Sequence, residues 1–431
     1  MWTAAHSGWI TPDINTWQKA IELAQPNDTV LFPDTCFTIT DSQTITIPKK
    51  VTVLTNTGTI FYKFFGAELD YIPIFLMKDS SSLIGMTIIG DNGEIGDPGV
   101  VWAQNAVKVD GIDVRILSCQ FTNLDKWAIW GYNPSGLNIR NCRFENIRRD
   151  GYGYGVWIGG KGGIWPKMAI IDNNTFINCR SAVDGSGGYY SYTVSNNIFG
   201  EAQTFAVIAR HGQGRSDKGG IHTWILNNIV LTPVTRNVEI PIPAVDTGLV
   251  RIEGNTFGRS AWVADTIADS MAVKYPDRIK VLNNVSITNS PVKLLSFYLK
   301  DTYIDYNPSV GYVLIEVNSK QLMQINSAGA SMNWSKYYLD ISRFLIKGNN
   351  TIQIKFVNVA NREIRWYIDR IEVLGISGNT SAENTITPWR LTPNGFGSRF
   401  VTEEASDGIY SLRVASQPRP GAANLYFNFK L

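Results

Sequence analysis

The chain has 431 residues, of which 44% are hydrophobic and 18% charged, and its formal net charge is +2. This composition is that of a globular protein, and the length exceeds one ordinary core, so two domains are expected. The balanced charge without a long basic run excludes nucleic acid as a main partner, and no run of ~18 apolar residues is present to span a membrane.

The first thirteen residues lack the basic-then-apolar layout of a secretory signal. Next, Asn15-Thr-Trp-Gln18 has the form of a capping box, and Trp17, Ala20, Ile21 and Ala24 fall on one helical face. A short helix here is expected to plug the end of a stacked structure, because an uncovered end exposes both core and strand edges. The segments DTVLFP and ITIPKKVTVLT then read as the first coils.

Repetition is the strongest signal in the chain. One column reads Ile88, Phe121, Phe144, Phe176, Phe199, Val230 and Phe257, at intervals of 33, 23, 32, 23, 31 and 27 residues. Five residues earlier runs an aliphatic column: Leu83, Ile116, Ile139, Ile171, Val194, Ile225 and Ile252, continued by Val281. Between them lie two asparagine files: Asn141, Asn173, Asn196, Asn227 and Asn283, then Asn174, Asn197, Asn228, Asn255 and Asn284. A third holds Asn123, Asn146 and Asn178. If each coil rises by one strand spacing of about 4.8 Å, equivalent residues stack into continuous interior columns. Asparagine side chains then bond coil to coil and satisfy the turns. The minimum coil of 23 residues suits a three-sided parallel β-helix. Cys119 and Cys142 share a column of the asparagine ladder and are expected to be stacked thiols. The cysteines have no disulfide-scaffold or zinc spacing, and three histidines cannot supply a His-rich metal site.

The phrase NTWQKAIELAQPNDTVLFPDTCFTIT, with ITIPKKVTVLT and the NNTF-type coils, resembles the pectin-lyase-like β-helix superfamily over roughly residues 10–290. That resemblance implies a right-handed parallel β-helix with an N-terminal capping helix. It implies no single activity, because the superfamily includes lyases, hydrolases, tailspikes and non-catalytic surface proteins.

After about residue 289 the asparagine pattern stops and alternating segments follow: 312–318, 350–359, 366–375, 410–416 and 425–431. They read as strands of an antiparallel sandwich. The expected division is a β-helix over 1–288 and a β-sandwich over 289–431. Trp334 to Ser342 followed by GNNTI resembles the later strands of jelly-roll carbohydrate-binding modules, and Trp389 to Leu412 resembles their opening strands. This reversed order allows one circularly permuted sandwich or one sandwich plus part of a second. The resemblance implies sugar binding or a purely structural module. No cofactor is expected; a structural calcium in the sandwich is the one ion allowed for.

For chemistry, the strings WAIWGY, YGVWIGG, SAVDGSG and FAVIARHG align with Ile129, Val156, Val183 and Val207 inward. By strand alternation, Trp130, Trp157, Asp184 and Ile208 then form one outward column, and Tyr132, Gly159, Ser186 and Arg210 the next. Flat aromatic faces pack against the C–H faces of sugar rings while polar groups fix hydroxyls, so this face suits a glycan. The competing reading packs the same aromatics beneath inserted loops. Three glycine-rich loops border the face, supplying Arg149, Asp150 and Tyr154, then Tyr189, then Arg210, His211, Arg215, Asp217 and Lys218. None has the form of a phosphate loop.

Residues 150–230 are also distantly similar to archaeal disaggregatase-type β-helix proteins, and that similarity points to Arg180, Asp184, Arg210 and His211. It departs at Ser181, where a second histidine is expected. In a hydrolase, Asp184 pairs with Asp150 or Asp217, an inverting pair standing ~6.5–9.5 Å apart. In a lyase, Arg210 or Arg180 neutralises a uronate, and His211, Lys218 or Tyr154 removes the proton. Polygalacturonase signatures are absent, as is an outward file of aspartates for calcium. The leading expectation is therefore an extracellular or cell-surface enzyme that cleaves a polysaccharide, acting as a monomer. Its alternatives are a non-catalytic glycan-binding or adhesive protein and a trimeric tailspike-like protein.

Overall fold

A computed structural model describes residues 14–32, 36–39, 44–55, 59–62, 72–90, 105–124, 126–132, 134–147, 153–159, 167–186, 191–200, 206–210, 222–231, 236–239, 249–257, 273–286, 293–301, 311–326, 335–359, 365–374, 389–394, 396–401, 411–416 and 421–430. The chain divides into two compact units, Met1–Ile287 and Thr288–Leu431.

The first unit is a parallel β-helix. A full coil contributes a strand to each of three sheets, so neighbouring strands are one coil apart in sequence, and the last two coils add described strands to two of the sheets. Two sheets, A and B, have ten strands each, and the third, sheet C, has eight. The register matches the repeat read from the sequence: Ile116 pairs with Ile139 and Leu83 in sheet A, and Phe121 with Phe144 and Ile88 in sheet B. The phenylalanines form one column, with ring centroids 5.1, 4.5 and 5.1 Å apart from Phe121 through Phe144 and Phe176 to Phe199. All four are fully buried. Stacking places like beside like, which leaves each coil the same volume to fill.

The three asparagine files have two physical functions. Asn141, Asn173, Asn196, Asn227 and Asn283 hold φ between 54° and 55°, and Asn123, Asn146 and Asn178 between 53° and 56°. Those are left-handed corners, which asparagine tolerates better than other side chains. The second file is an internal ladder. The Asn197 carboxamide oxygen accepts from the Asn174 backbone N–H at 2.8 Å and its Nδ2 at 3.0 Å, while the Asn197 Nδ2 donates to the Ile171 carbonyl at 2.9 Å. Asn228, Asn255 and Asn284 repeat the pattern. Cys142 and Cys119 continue it as free buried thiols: the Cys142 N–H donates to the Asn174 Oδ1, and the Cys119 N–H to the Cys142 Sγ.

The helix Ile14–Leu23 packs on the first strand of sheet C, Ile45–Ile47. Trp17 stacks on Phe32 at 4.2 Å, Ile21 is fully buried, and the Gln18 side-chain oxygen accepts from the Thr46 N–H at 2.7 Å. The helix starts at Ile14, so Asn15 lies inside it rather than at its cap as expected from the sequence.

The second unit holds two five-stranded antiparallel sheets. One contains the strands Leu294–Asp301, Ser335–Asp340, Arg365–Leu374, Phe396–Val401 and Ser411–Ser416. The other contains Gly311–Val317, Lys320–Asn326, Asn349–Asn358, Trp389–Asn394 and Gly421–Lys430. Their facing residues form one core, with Phe297, Tyr337 and Trp366 from the first sheet and Ile315, Ile354 and Phe356 from the second. The last four strands join both sheets, Ser411–Ser416 beside Arg365–Leu374 and Gly421–Lys430 beside Asn349–Asn358. Of the two arrangements left open by the sequence, the C-terminal segments therefore complete a single sandwich.

Candidate functional site

Sheet C presents the face on which the sequence placed a glycan. Its strands include Asn105–Val109, Trp127–Tyr132, Tyr154–Gly159, Ser181–Ser186 and Ala206–Arg210. Trp130 pairs with Trp157, and Trp157 with Asp184, so these three residues share one file. Tyr132, Gly159 and Ser186 form another.

The fourth coil departs from the expected alignment. Val183 pairs with Ile208 rather than Val207, Asp184 with Ala209, and Gly185 with Arg210. Arg210 therefore belongs to the file of Gly131, Ile158 and Gly185 and not to that of Tyr132. Only its backbone is described. Arg149, Asp150, Tyr189, His211, Asp217 and Lys218 lie outside the described residues.

Strict alternation also fails at the start of the strands Trp127–Tyr132 and Ser181–Ser186. Ala128 and Ile129 both sit in the interior core, as do Ala182 and Val183. Two consecutive inward residues move the preceding position to the outer side. Trp127 thereby joins the aromatic face, a residue that alternation had hidden. Its ring centroid lies 4.9 Å from Trp130 and 5.9 Å from Trp157; Trp130 is 6.3 Å from Trp157 and 6.1 Å from Tyr132. Trp130, Trp157 and Tyr132 are half-buried and Trp127 is buried. The result is a contiguous aromatic platform spanning two coils.

Small residues make room beneath it. A Cβ added to Gly155 would lie 2.7 Å from the Ala182 carbonyl oxygen and 2.8 Å from the Phe176 ring, well inside contact distance. Gly155→Ala is expected to lower stability by about 1–3 kcal/mol, the usual cost of overpacking. Denaturant melts would show this as a lowered midpoint at constant slope.

Beside the platform, Arg180 Nη1 donates to the Tyr154 hydroxyl oxygen at 3.1 Å, and its guanidinium lies 5.4 Å from the centre of the Tyr154 ring. Asp184 adjoins the same hydroxyl. Expected from the sequence as an outward carboxylate, Asp184 is fully buried. Burial raises the Tyr154 hydroxyl to about 12, aided by the negative charge of Asp184 and opposed by Arg180. Folded Tyr154 thus holds its proton above the ordinary tyrosine value of about 10. Its contribution to stability is complete below pH ~10 and is lost as the pH rises through about 12. Asp184→Asn is expected to lower this value and Arg180→Gln to raise it. Ultraviolet titration of each variant, with Tyr154→Phe as the blank, reads the shift directly.

Two further cations touch the platform. The Lys108 ammonium lies over the Trp130 ring, 4.5 Å from its centroid, and the fully buried Lys126 lies 5.8 Å from that of Trp127. Neither position had been singled out in the sequence, since neither falls in a glycine-rich loop. On sheet A a polar groove of about 620 Å³ is lined by Lys50, Thr52, Ser82, Arg115 and Asn138 among others, with no aromatic ring among the described residues that line it. Among the described residues, no three His, Cys, Asp or Glu side chains gather as a metal would require, and no helix is long and apolar enough to cross a membrane.

No family model matches the sequence, and no curated protein does. Among solved structures, the chain is similar to ORF18 of Geobacillus virus E2, at 11% identity and a TM-score of 0.37, over 85% of this chain and 72% of that one. It is also similar to a mutant tailspike protein of E. coli bacteriophage HK620 in complex with a pentasaccharide, at 11% identity and a TM-score of 0.34, over 97% and 89% of the two chains. The HK620 tailspike without that mutation, also with pentasaccharide, gives 11% identity and a TM-score of 0.28, over 97% and 90%.

Proposed function

We propose that the outer face of sheet C binds a polysaccharide lying across the strands, along the axis of the coil stack. The observation that carries this reading is the in-register file of half-buried Trp130 and Trp157, extended by Trp127 and Tyr132 into one platform. The strands that carry Trp130 and Trp157 are neighbours, and the two ring centroids lie 6.3 Å apart with their planes 64° apart, so the rings form a continuous but faceted apolar strip along the stack. A linear polymer with alternating apolar faces and hydroxyl edges fits such a strip; a compact ligand uses only part of it. A protein with this task works outside the cell or at its surface. A monomer suffices for it, whereas a tailspike-like protein would be a trimer, and light scattering separates the two.

The cleavage of that polymer is the second reading, and the contact among Arg180, Tyr154 and Asp184 supports it. Tyr154 can hand its phenolic proton to a departing glycosidic oxygen while a water adds to the anomeric carbon and releases its own proton to solvent, and the adjacent guanidinium can stabilise the phenolate left behind. Asp184 then restrains the phenol rather than meeting the sugar, since the carboxylate is buried. The test is incubation of the full chain with a broad polysaccharide panel, reading retention on each glycan and the masses of any products. Retention with no product supports binding alone. Product formation that disappears in Tyr154→Phe supports cleavage, with an unsaturated uronate marking a lyase. No retention on any glycan removes the reading.

A further inference from the structure

The platform of tryptophans is not uniformly open to a neutral sugar. Lys108 stands in the same file as Trp130, one coil before it, because the two residues are register partners. Its half-buried side chain lays the ammonium over the Trp130 ring at 4.5 Å. Among the described residues no carboxylate pairs with it. Among the described residues, the ring contacts of Trp157 are with Trp127 and Trp130, and no described cation caps its face. A sugar stacked on Trp157 therefore has a cation waiting over the next ring, two strand spacings from the Trp157 backbone, or about 10 Å. The flexible lysine stem spans much of that distance.

These positions treat neutral and charged sugars differently. A neutral ring can stack on the covered face of Trp130 only by displacing the ammonium and losing the cation–π contact. A ring bearing an anionic group meets the same ammonium as a partner and gains a charge-assisted hydrogen bond. We infer that Lys108 selects a glycan whose sugars carry an anionic substituent, a carboxylate or a sulfate, and that it reads this group over Trp130. This inference rests on the preceding reading that sheet C binds a polysaccharide.

The experiment uses the full chain and matched oligosaccharides: uronic-acid oligomers with free carboxylates, the same oligomers after carboxyl reduction, and sulfated oligomers of neutral sugars. Affinities are measured for the unmodified protein, Lys108→Gln and Lys108→Arg. The unmodified protein is expected to prefer an anionic member by roughly tenfold, the size of one charge-assisted hydrogen bond. Lys108→Gln should erase that preference while neutral affinity stays level or rises, and Lys108→Arg should restore most of it. Whether carboxylate or sulfate gains more identifies the group. Equal binding of charged and neutral members, or a preference that survives Lys108→Gln, overturns the assignment and leaves glycan binding standing. Failure to bind any oligosaccharide overturns the underlying reading instead.

Discussion

Trp157→Ala is expected to weaken glycan binding by about 10- to 100-fold and to leave the melting temperature within a few degrees of the starting protein. Trp157 is half-buried, and among the described residues its ring meets Trp127 and Trp130; it stands outside the interior core. The part of the ring that stays exposed is what a ligand would cover. Covering a side chain of this size stabilises a complex by about 1.5–3 kcal/mol, which corresponds to the stated range of affinity. Calorimetric titration with a glycan retained in the panel gives the first number, and a thermal melt gives the second. Val273→Ala, on an exposed side chain, is the control and should change neither. Unaltered affinity in Trp157→Ala would remove the platform from the site.

The second large effect concerns the fold. Asn197→Ala is expected to cost at least about 3 kcal/mol, from about 1–3 kcal/mol for each buried polar group left without its partner. Three such groups are left: the Asn174 backbone N–H, one hydrogen on the Asn174 Nδ2, and the Ile171 carbonyl. The Asn228 oxygen loses one donor but keeps the Asn197 backbone N–H at 3.0 Å. A matched change on the corner file, Asn196→Ala, instead places alanine at φ 55° and loses an exposed hydrogen bond to Asp172. It should cost less, about 1–2 kcal/mol. Chemical denaturation of the two variants orders them, and the reverse order would mean that the corners rather than the ladder hold the coils in register.

The contrast between the two files explains what the sequence could disclose. A column such as Phe121, Phe144, Phe176 and Phe199 is legible because stacking forces the same side chain to recur at the same place in each coil. The corner between sheets B and C follows no such rule. From the phenylalanine to the register-matched position of sheet C the separation is 8, 12, 7 and 9 residues, for Ile129, Val156, Val183 and Ile208 respectively. Alignment by string similarity therefore missed Ile208 by one position, which in a strand moves Arg210 to the other file. Trp127 was missed for a related reason: two inward residues in succession break the alternation on which the outward assignment relied. The burial of Asp184 was beyond reach, because alternation gives the direction of a side chain and not what lies above it.

The shortest coils bear on how such a chain can change its length. Arg115 and Asn138 are register partners 23 residues apart, and Cys119 and Cys142 occupy successive rungs at the same spacing. Excising residues 115–137 as a block would bring Asn138 beside Ser82 and let Cys142 inherit the position of Cys119. The cut would also remove Trp127, Trp130 and Tyr132 together, while duplicating the block would add a second copy of each. The molecule is thus graduated like a ruler: its length changes by whole increments of about 4.8 Å, and a copy of this block brings its own set of aromatic rings.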